Sequence, residues 1–177
     1  MSTLEYLAFL TPSGVALGGK AAGSRRILKW QDVAAAMAMG NLSEEAYLLG
    51  LAKYCHDSNA TKGLHVVMSK KSSLLIARKK WKSTRDVSAD LAMVACLEAV
   101  ANHNCPPCSG TGIILDEACE NCAGIGHNRI TEASKYTMAK MDKRNWQRRW
   151  RPRYEEIYQI LVAAEDELAQ HLAVQLG

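Results

Sequence analysis

Cys105-Pro-Pro-Cys108-Ser-Gly-Thr-Gly112 and Cys119-Glu-Asn-Cys122-Ala-Gly-Ile-Gly126 are two copies of one pattern, with ten residues between the cysteine pairs. Each copy is a Cys-x-x-Cys pair followed by x-Gly-x-Gly. Thiolates are soft ligands that suit zinc, and four of them close a tetrahedral shell. The two-residue gap lets both sulfurs of a pair reach the same ion. The glycines serve a chain that must curl its amides toward the sulfurs, where a Cβ would obstruct. Cys105, Cys108, Cys119 and Cys122 are therefore expected to hold one structural Zn2+. Residues 104–127 become a zinc-binding loop, held by metal rather than by a core of its own. Unrelated thiols would have to repeat both spacing and glycines by chance. His103 and His127 flank the loop, but four thiolates suffice, so both are read as exposed.

The 177 residues allow one ordinary domain, and 48% hydrophobic content is enough for a core. No run of about 18 apolar residues occurs, which argues against a membrane span. The N-terminus has no charged segment followed by a long apolar one, so no signal peptide is expected. Paired cysteines without a secretion signal point to metal in a reducing compartment rather than disulfides. Cys55 and Cys96 lie in apolar helical contexts and read as core thiols.

Helical periodicity predominates, so the chain is expected to be mainly α. Residues 1–30 read as a flexible arm, and 31–177 as a single helical domain. A helix is expected from Gln31 to Met39, and another from a Ser43 N-cap to about His56. A loop is expected from Asp57 to Thr61. Leu64 to Met68 reads as a short element, with Ser72 to Lys82 following it. Ser83 or Thr84 should cap the next helix, whose face is Val87, Leu91, Val94, Leu97 and Ala101. Thr131 should cap a helix after the zinc loop. Met141-Asp142 reads as a turn, followed by a short helix from about Lys143 to Arg151. Pro152 suits the first position of a new helix, expected to run to about Gln175. Its stripe is Tyr154, Ile157, Tyr158, Leu161, Ala164, Leu168 and Leu172.

The net charge of +4 is ordinary, but its distribution is not. Residues 140–153 carry seven basic side chains against Asp142 alone, a local +6, whereas residues 154–177 carry five acids and no Lys or Arg. A second basic run spans Lys70 to Lys82. On a helical wheel of about 100° per residue, Trp146 and Trp150 share one face of 143–151. Arg144, Arg148 and Arg151 share the opposite one, with Gln147 at its border. A short helix docked by tryptophans and displaying Lys143, Arg144, Gln147, Arg148 and Arg151 has the form of a recognition helix. Arginine pairs with guanine edges or phosphates, and glutamine with adenine. Segment 131–151 thus reads as helix-turn-helix-like. The same residues by themselves also admit RNA, a protein partner, or a solvated face.

Three places in the chain are similar to the Q-type transcription antitermination proteins of lambdoid phages, in the lambda branch. They are Asp32-Val33-x-Ala35-Ala36-Met37-x-Met39, the doubled cysteine motif, and Trp146-x-Arg148-x-x-Arg151-Pro152-x-Tyr154. They span about residues 31–160, in that family's order. DnaJ-type chaperones also carry the cysteine–glycine pattern, but in four copies beside a His-Pro-Asp tripeptide that this chain lacks. The gap between the cysteine pairs is shorter here than in the lambda protein. The resemblance implies a factor in the cytoplasm of the bacterial host that binds double-stranded DNA at the phage late promoter. It also implies engagement of paused host RNA polymerase, through the beta flap and the primary sigma factor, and suppression of pausing and termination. The candidate polymerase surfaces are Ser43 to His56, Leu64 to Trp81 and the exposed side of 155–170.

Two other classes compete. One is a zinc-containing helix-turn-helix regulator without antitermination activity. The other is an enzyme or redox protein using the cysteines. A closed four-thiolate shell leaves no open position for water, and no His, Asp and nucleophile set appears, so no enzyme activity or small-molecule substrate is expected.

Overall fold

Helices dominate the computed structural model, which describes residues 15–16, 27–28, 30–83, 86–100, 106–108, 113–115, 117–120 and 130–176. Within the N-terminal arm, β1 (Val15–Ala16) pairs antiparallel with β2 (Ile27–Leu28). Helix α1 (Trp30–Ala38) follows and buries Val33, Ala36 and Met37. Helix α2 (Glu44–Tyr54) starts at the expected cap, with the Ser43 hydroxyl accepting from Ala46 N at 3.3 Å.

The next segment departs from expectation. Asp57–Thr61 is not a loop, and Leu64–Met68 is not a separate element. Both belong to one 21-residue helix, α3 (Ser58–Arg78). Asp57 caps it, its carboxylate accepting from Asn59 N at 2.7 Å and Ala60 N at 3.2 Å. The Ser, Asn, Thr and Gly of its first turns are poor helix formers. Yet Ala60, Leu64, Met68 and Ser72 recur every four residues and are all buried, so packing outweighs propensity. Helix α4 (Ser88–Val100) also begins later than expected. Asp86 serves its start, accepting from Ser88 N at 2.9 Å and Ser88 Oγ at 2.6 Å. Val87, Leu91 and Val94 are buried as expected, but Leu97 is exposed. The face that packs is completed by Ala92, Ala95 and Ala99, whose small side chains carried no strong hydrophobic signal. Thr84 and Ala101 lie outside the described residues.

Thr131 caps α5 (Glu132–Met138), accepting from Ser134 N at 3.1 Å. The Lys140 backbone turns through φ 53°, and Met141 N bonds back to Tyr136 O at 2.8 Å. Asp142 then caps α6 (Lys143–Asn145), accepting from Asn145 N at 2.8 Å. A π-turn (Trp146–Trp150) and α7 (Arg151–Leu176) follow without a break. The expected fresh start at Pro152 is therefore absent. Proline inside a helix lacks a donor, and its ring meets the carbonyl four residues earlier. The π-turn answers this locally: Arg151 N bonds five residues back, to Trp146 O.

Helix α7 is the axis of the packing, with α1, α2 and α4 against it and α3 against α2 and α4. Its expected stripe of Tyr154, Ile157, Leu161, Ala164, Leu168 and Leu172 is buried, while Tyr158 is half-buried. The main core joins Tyr154, Ile157, Leu161 and Ala164 of this stripe to Leu49, Leu64, Met68, Leu91, Val94, Trp146 and Trp150. A smaller one joins Val33, Met37 and Tyr54 to Leu168 and Leu172. Gly50 makes that second contact possible, because a Cβ there would lie 2.3 Å from Met37 Sδ. Among the described residues no helix is long and apolar enough to cross a membrane.

The acids of α7 are not simply its solvated side. Ser43 N and Ser43 Oγ donate to the two carboxylate oxygens of Glu167 at 2.6 and 2.7 Å. Glu165 accepts from Lys53 and from Tyr54 Oη. Burial, and then the Glu165 carboxylate, hold the Tyr54 phenol well above its ordinary range. The hydrogen bonds from the Ser43 hydroxyl and backbone draw the Glu167 carboxyl below its ordinary value. A carboxylate depressed in the folded state adds stability above its unfolded pKa, about 4.3. That increment disappears as pH falls through the lower folded value. Glu167→Gln is expected to lower stability by about 1–2 kcal/mol at pH 7. It should also flatten the acid limb of a stability-versus-pH curve measured by urea unfolding. An unchanged acid limb would refute the linkage.

Candidate nucleic-acid interface

The basic stretch acquires its shape from two tryptophans. Trp146 and Trp150 are buried, and Trp146 packs on Tyr154 with ring centroids 5.3 Å apart. This fixes the helix and turns the remaining side chains outward. Lys143, Arg144, Gln147, Arg148, Arg149 and Arg151 are all exposed. Lys143, Arg144 and Arg148 enter no ion pair among the described residues. Arg151 Nε lies 3.8 Å from Glu132 Oε2. The structure thus brings Lys143, Arg144, Gln147, Arg148 and Arg151 onto the exposed side of one element. That element does not stop at Arg151: α6 runs on through the π-turn into α7.

A buried polar cluster ties this element to the helices on either side of the cysteine segment. Lys135 of α5 is buried and pairs with Glu98 of α4 at 2.8 Å. Tyr154 Oη donates to the other Glu98 oxygen, and the Lys135 ammonium lies 5.1 Å from the Tyr154 ring centre. Burial, and then Glu98, raise the Tyr154 phenol far above its ordinary value, so it remains a donor. Glu132 completes the cluster by accepting from Trp146 Nε1 at 2.8 Å. Glu98 lies in the last turn of α4, and Glu132 and Lys135 lie in α5. The ends of the two helices that flank the loop are thereby pinned together and to the basic helix. Nothing in the sequence pattern marked Lys135 or Glu98.

The two basic runs, separate in sequence, meet in space. The Arg153 guanidinium lies 5.3 Å from the Trp81 ring centre and 4.8 Å from that of Trp150. Arg149 Nη2 donates to Lys82 O at 3.4 Å. Burial, and then the neighbouring Arg149, lower the Arg153 pKa from its ordinary value. Arginine nonetheless stays charged at any working pH. Two of the seven basic residues counted in 140–153 therefore hold the end of α3 in place. A third, Lys140, pairs with Asp90 at 2.8 Å. In the second run, Lys71 pairs with Glu45, and Lys79 with Glu156 at 2.8 Å.

The doubled cysteine motif lies only partly within the described residues. Pro106–Cys108 forms a 3-10 turn, and β3 (Ile113–Ile114) pairs antiparallel with β4 (Glu117–Ala118). This hairpin reverses the chain at Leu115, where φ is 52°, and carries Cys119 back to Cys108. The two thiols, one from each pair, are buried together. That is the juxtaposition a shared metal requires, and soft thiols are the donors zinc prefers. Cys105, Cys122, His103 and His127 lie outside the described residues. Among the described residues no group of three or more metal-capable side chains is gathered. The expected core thiol at Cys96 is buried, and burial pushes it up to about 12. Cys55 is half-buried, and its thiol is also raised, by burial and then by Asp57.

Removing one partner of a buried ion pair strands the other charge. Lys135→Met is expected to cost about 3–5 kcal/mol in urea unfolding. The double variant Lys135→Met with Glu98→Leu should recover part of that loss, because no buried carboxylate then lacks its cation. Additive losses in the double-mutant cycle would show that the pair is not coupled.

Residues 76–177 match the family described as Conserved hypothetical protein CHP02642. The matched span takes in the end of α3, α4, the doubled cysteine motif, α5, the basic helix and α7. No curated protein matches the chain. The match covers more than half of the sequence, and the chain belongs to that family.

Proposed function

We propose that this protein is a phage late-gene transcription antitermination factor. In this reading it binds double-stranded DNA through the exposed side of α6 and the π-turn. It then engages host RNA polymerase and makes it resistant to pausing and termination. One observation carries the DNA reading. Lys143, Arg144, Gln147 and Arg148 stand exposed on a helix whose orientation is locked by the buried Trp146 and Trp150. Rigid placement of Arg and Gln is what base-edge and phosphate recognition demands. Arg151 joins them once it exchanges Glu132 for a phosphate. The polymerase reading rests on the sequence resemblance to the Q-type antiterminators. Its surface is proposed on α2 and α3, where Tyr47, Val66 and Leu74 are exposed. Glu165 and Glu167 drop out of that surface because they hold α2.

One structural Zn2+ per chain is proposed on Cys105, Cys108, Cys119 and Cys122. The close burial of Cys108 with Cys119 supports it. Bound there, zinc would hold the two arms of the hairpin at their base. It would do no chemistry, since four thiolates leave no open position.

Metal analysis should give one zinc per chain, and Cys108→Ser should lower zinc affinity and thermal stability together. Zero or two ions per chain would exclude this site. Arg148→Ala should weaken binding to the cognate DNA. The cost is about 1–3 kcal/mol with relaxed specificity if Arg148 reads a base. If it holds a phosphate, the salt slope should instead be shallower by about 0.9. Binding indistinguishable from wild type at moderate salt would remove the recognition-helix assignment. Readthrough of terminators placed far downstream of the binding site separates an antiterminator from an ordinary zinc-containing regulator, which would bind DNA without producing it.

A further inference from the structure

We propose that Lys80 and Lys82, at the C-terminal end of α3, form a second phosphate-contacting arm of the same DNA interface. This rests on the DNA reading above and extends it to a segment 60 or so residues away in sequence. Three observations carry it. First, the segment is fixed beside the basic helix from two sides. Arg153 stacks near both Trp81 and Trp150, and Arg149 holds the Lys82 carbonyl at 3.4 Å. Arg149 is exposed on the basic helix, so Lys82 is held against that helix on its α3 side. Second, Lys80 and Lys82 are exposed and enter no ion pair among the described residues. Lys79, between α3 and α7, is by contrast neutralised by Glu156. Third, the arrangement gathers like charges. Arg149 and Arg153 lie close enough to act on each other electrostatically, Arg149 also holds the Lys82 carbonyl, and Arg149, Arg153, Lys80 and Lys82 enter no ion pair among the described residues. Gathering one sign of charge destabilises the free protein through self-repulsion. A polyanion laid across the cluster relieves that repulsion.

The ordinary preference of a helix C-terminus for cations accounts for some basic residues at the end of α3. It does not account for the Trp81–Arg153–Trp150 stack, which joins this end to the basic helix. A DNA duplex fits the pattern because it presents a phosphate every 1.7 Å or so along its axis. Two basic segments from different helices can then contact phosphates in parallel, without reading sequence.

Phosphate contacts are insensitive to base sequence, so a mixed-sequence duplex oligonucleotide is a sufficient probe. Its affinity would be measured across a salt series for wild type, Lys80→Gln/Lys82→Gln, Arg148→Ala and Lys62→Gln. All four positions are exposed, and circular dichroism would verify that each variant is folded. Lys62 lies roughly 27 Å up α3 from Lys80, at 1.5 Å per residue, and controls for net charge. The double variant should bind more weakly, with a slope of log affinity against log salt shallower by about 1.8. Lys62→Gln should leave the slope unchanged. A double variant that matches wild type while Arg148→Ala loses affinity would overturn the second arm and leave the DNA reading standing. Loss in neither would overturn both. An equal change in Lys62→Gln, or a change seen with single-stranded RNA and not with the duplex, would also overturn the proposal.

Discussion

The Glu98–Lys135 pair is the constraint on which the lower half of the molecule depends. A cation and an anion taken out of water are costly unless each is fully partnered. Here the carboxylate has two partners, Lys135 and Tyr154, and the ammonium has the carboxylate and the face of the Tyr154 ring. The pair joins α4 to α5, the helices on either side of the cysteine segment. Because Tyr154 belongs to α7 and Glu132 also accepts from Trp146, the same cluster orients the basic helix. The two helices on either side of the cysteine segment and the basic face are thus mechanically connected through one set of hydrogen bonds.

The arginines divide by what lies beneath them. Arg149 and Arg153 flank the buried stripe on the side of α3, and their guanidinium groups reach Lys82 and the Trp81 ring. Arg144 and Arg148 are exposed and enter no ion pair among the described residues. Arg151 faces α5, near Glu132. A single basic run therefore supplies both a clasp and a display, and the clasp holds the end of α3 against the same helix. The π-turn contributes to this geometry. It accommodates Pro152 without breaking the helix, so the basic element is braced by the full length of α7 rather than by its own short packing.

The cysteine hairpin stands apart from that surface in chemistry. Its tip presents Ile113, Ile114 and Leu115, the last 93% exposed, and Glu117 and Glu120 are exposed beside them. No basic residue lies between Ile113 and Glu120. The hairpin is unsuited to phosphate, and its evident part is to bring Cys119 to Cys108.

Much of the helical framework was legible in the sequence. Period and capping chemistry are local, and so the stripe from Tyr154 to Leu172, the Ser43 and Thr131 caps and the burial of Trp146 and Trp150 could be read directly. The spacing of the cysteines likewise brings Cys108 and Cys119 to one place through a short hairpin. Other features were decided by tertiary structure. The first turns of α3 look like a loop because Ser58, Asn59, Thr61 and Gly63 are weak helix formers. They are helical because Ala60 and Leu64 find a core. The continuity of the helix through Pro152 depends on a π-turn that no local pattern marks. Glu165 and Glu167 read as solvated acids until α2 supplies Lys53, Tyr54 and Ser43 as partners. Lys135, Glu98 and the meeting of Trp81 with Arg153 involve residues far apart in the chain. A sequence shows what each side chain can do, but only the fold sets which distant group is near enough to answer it.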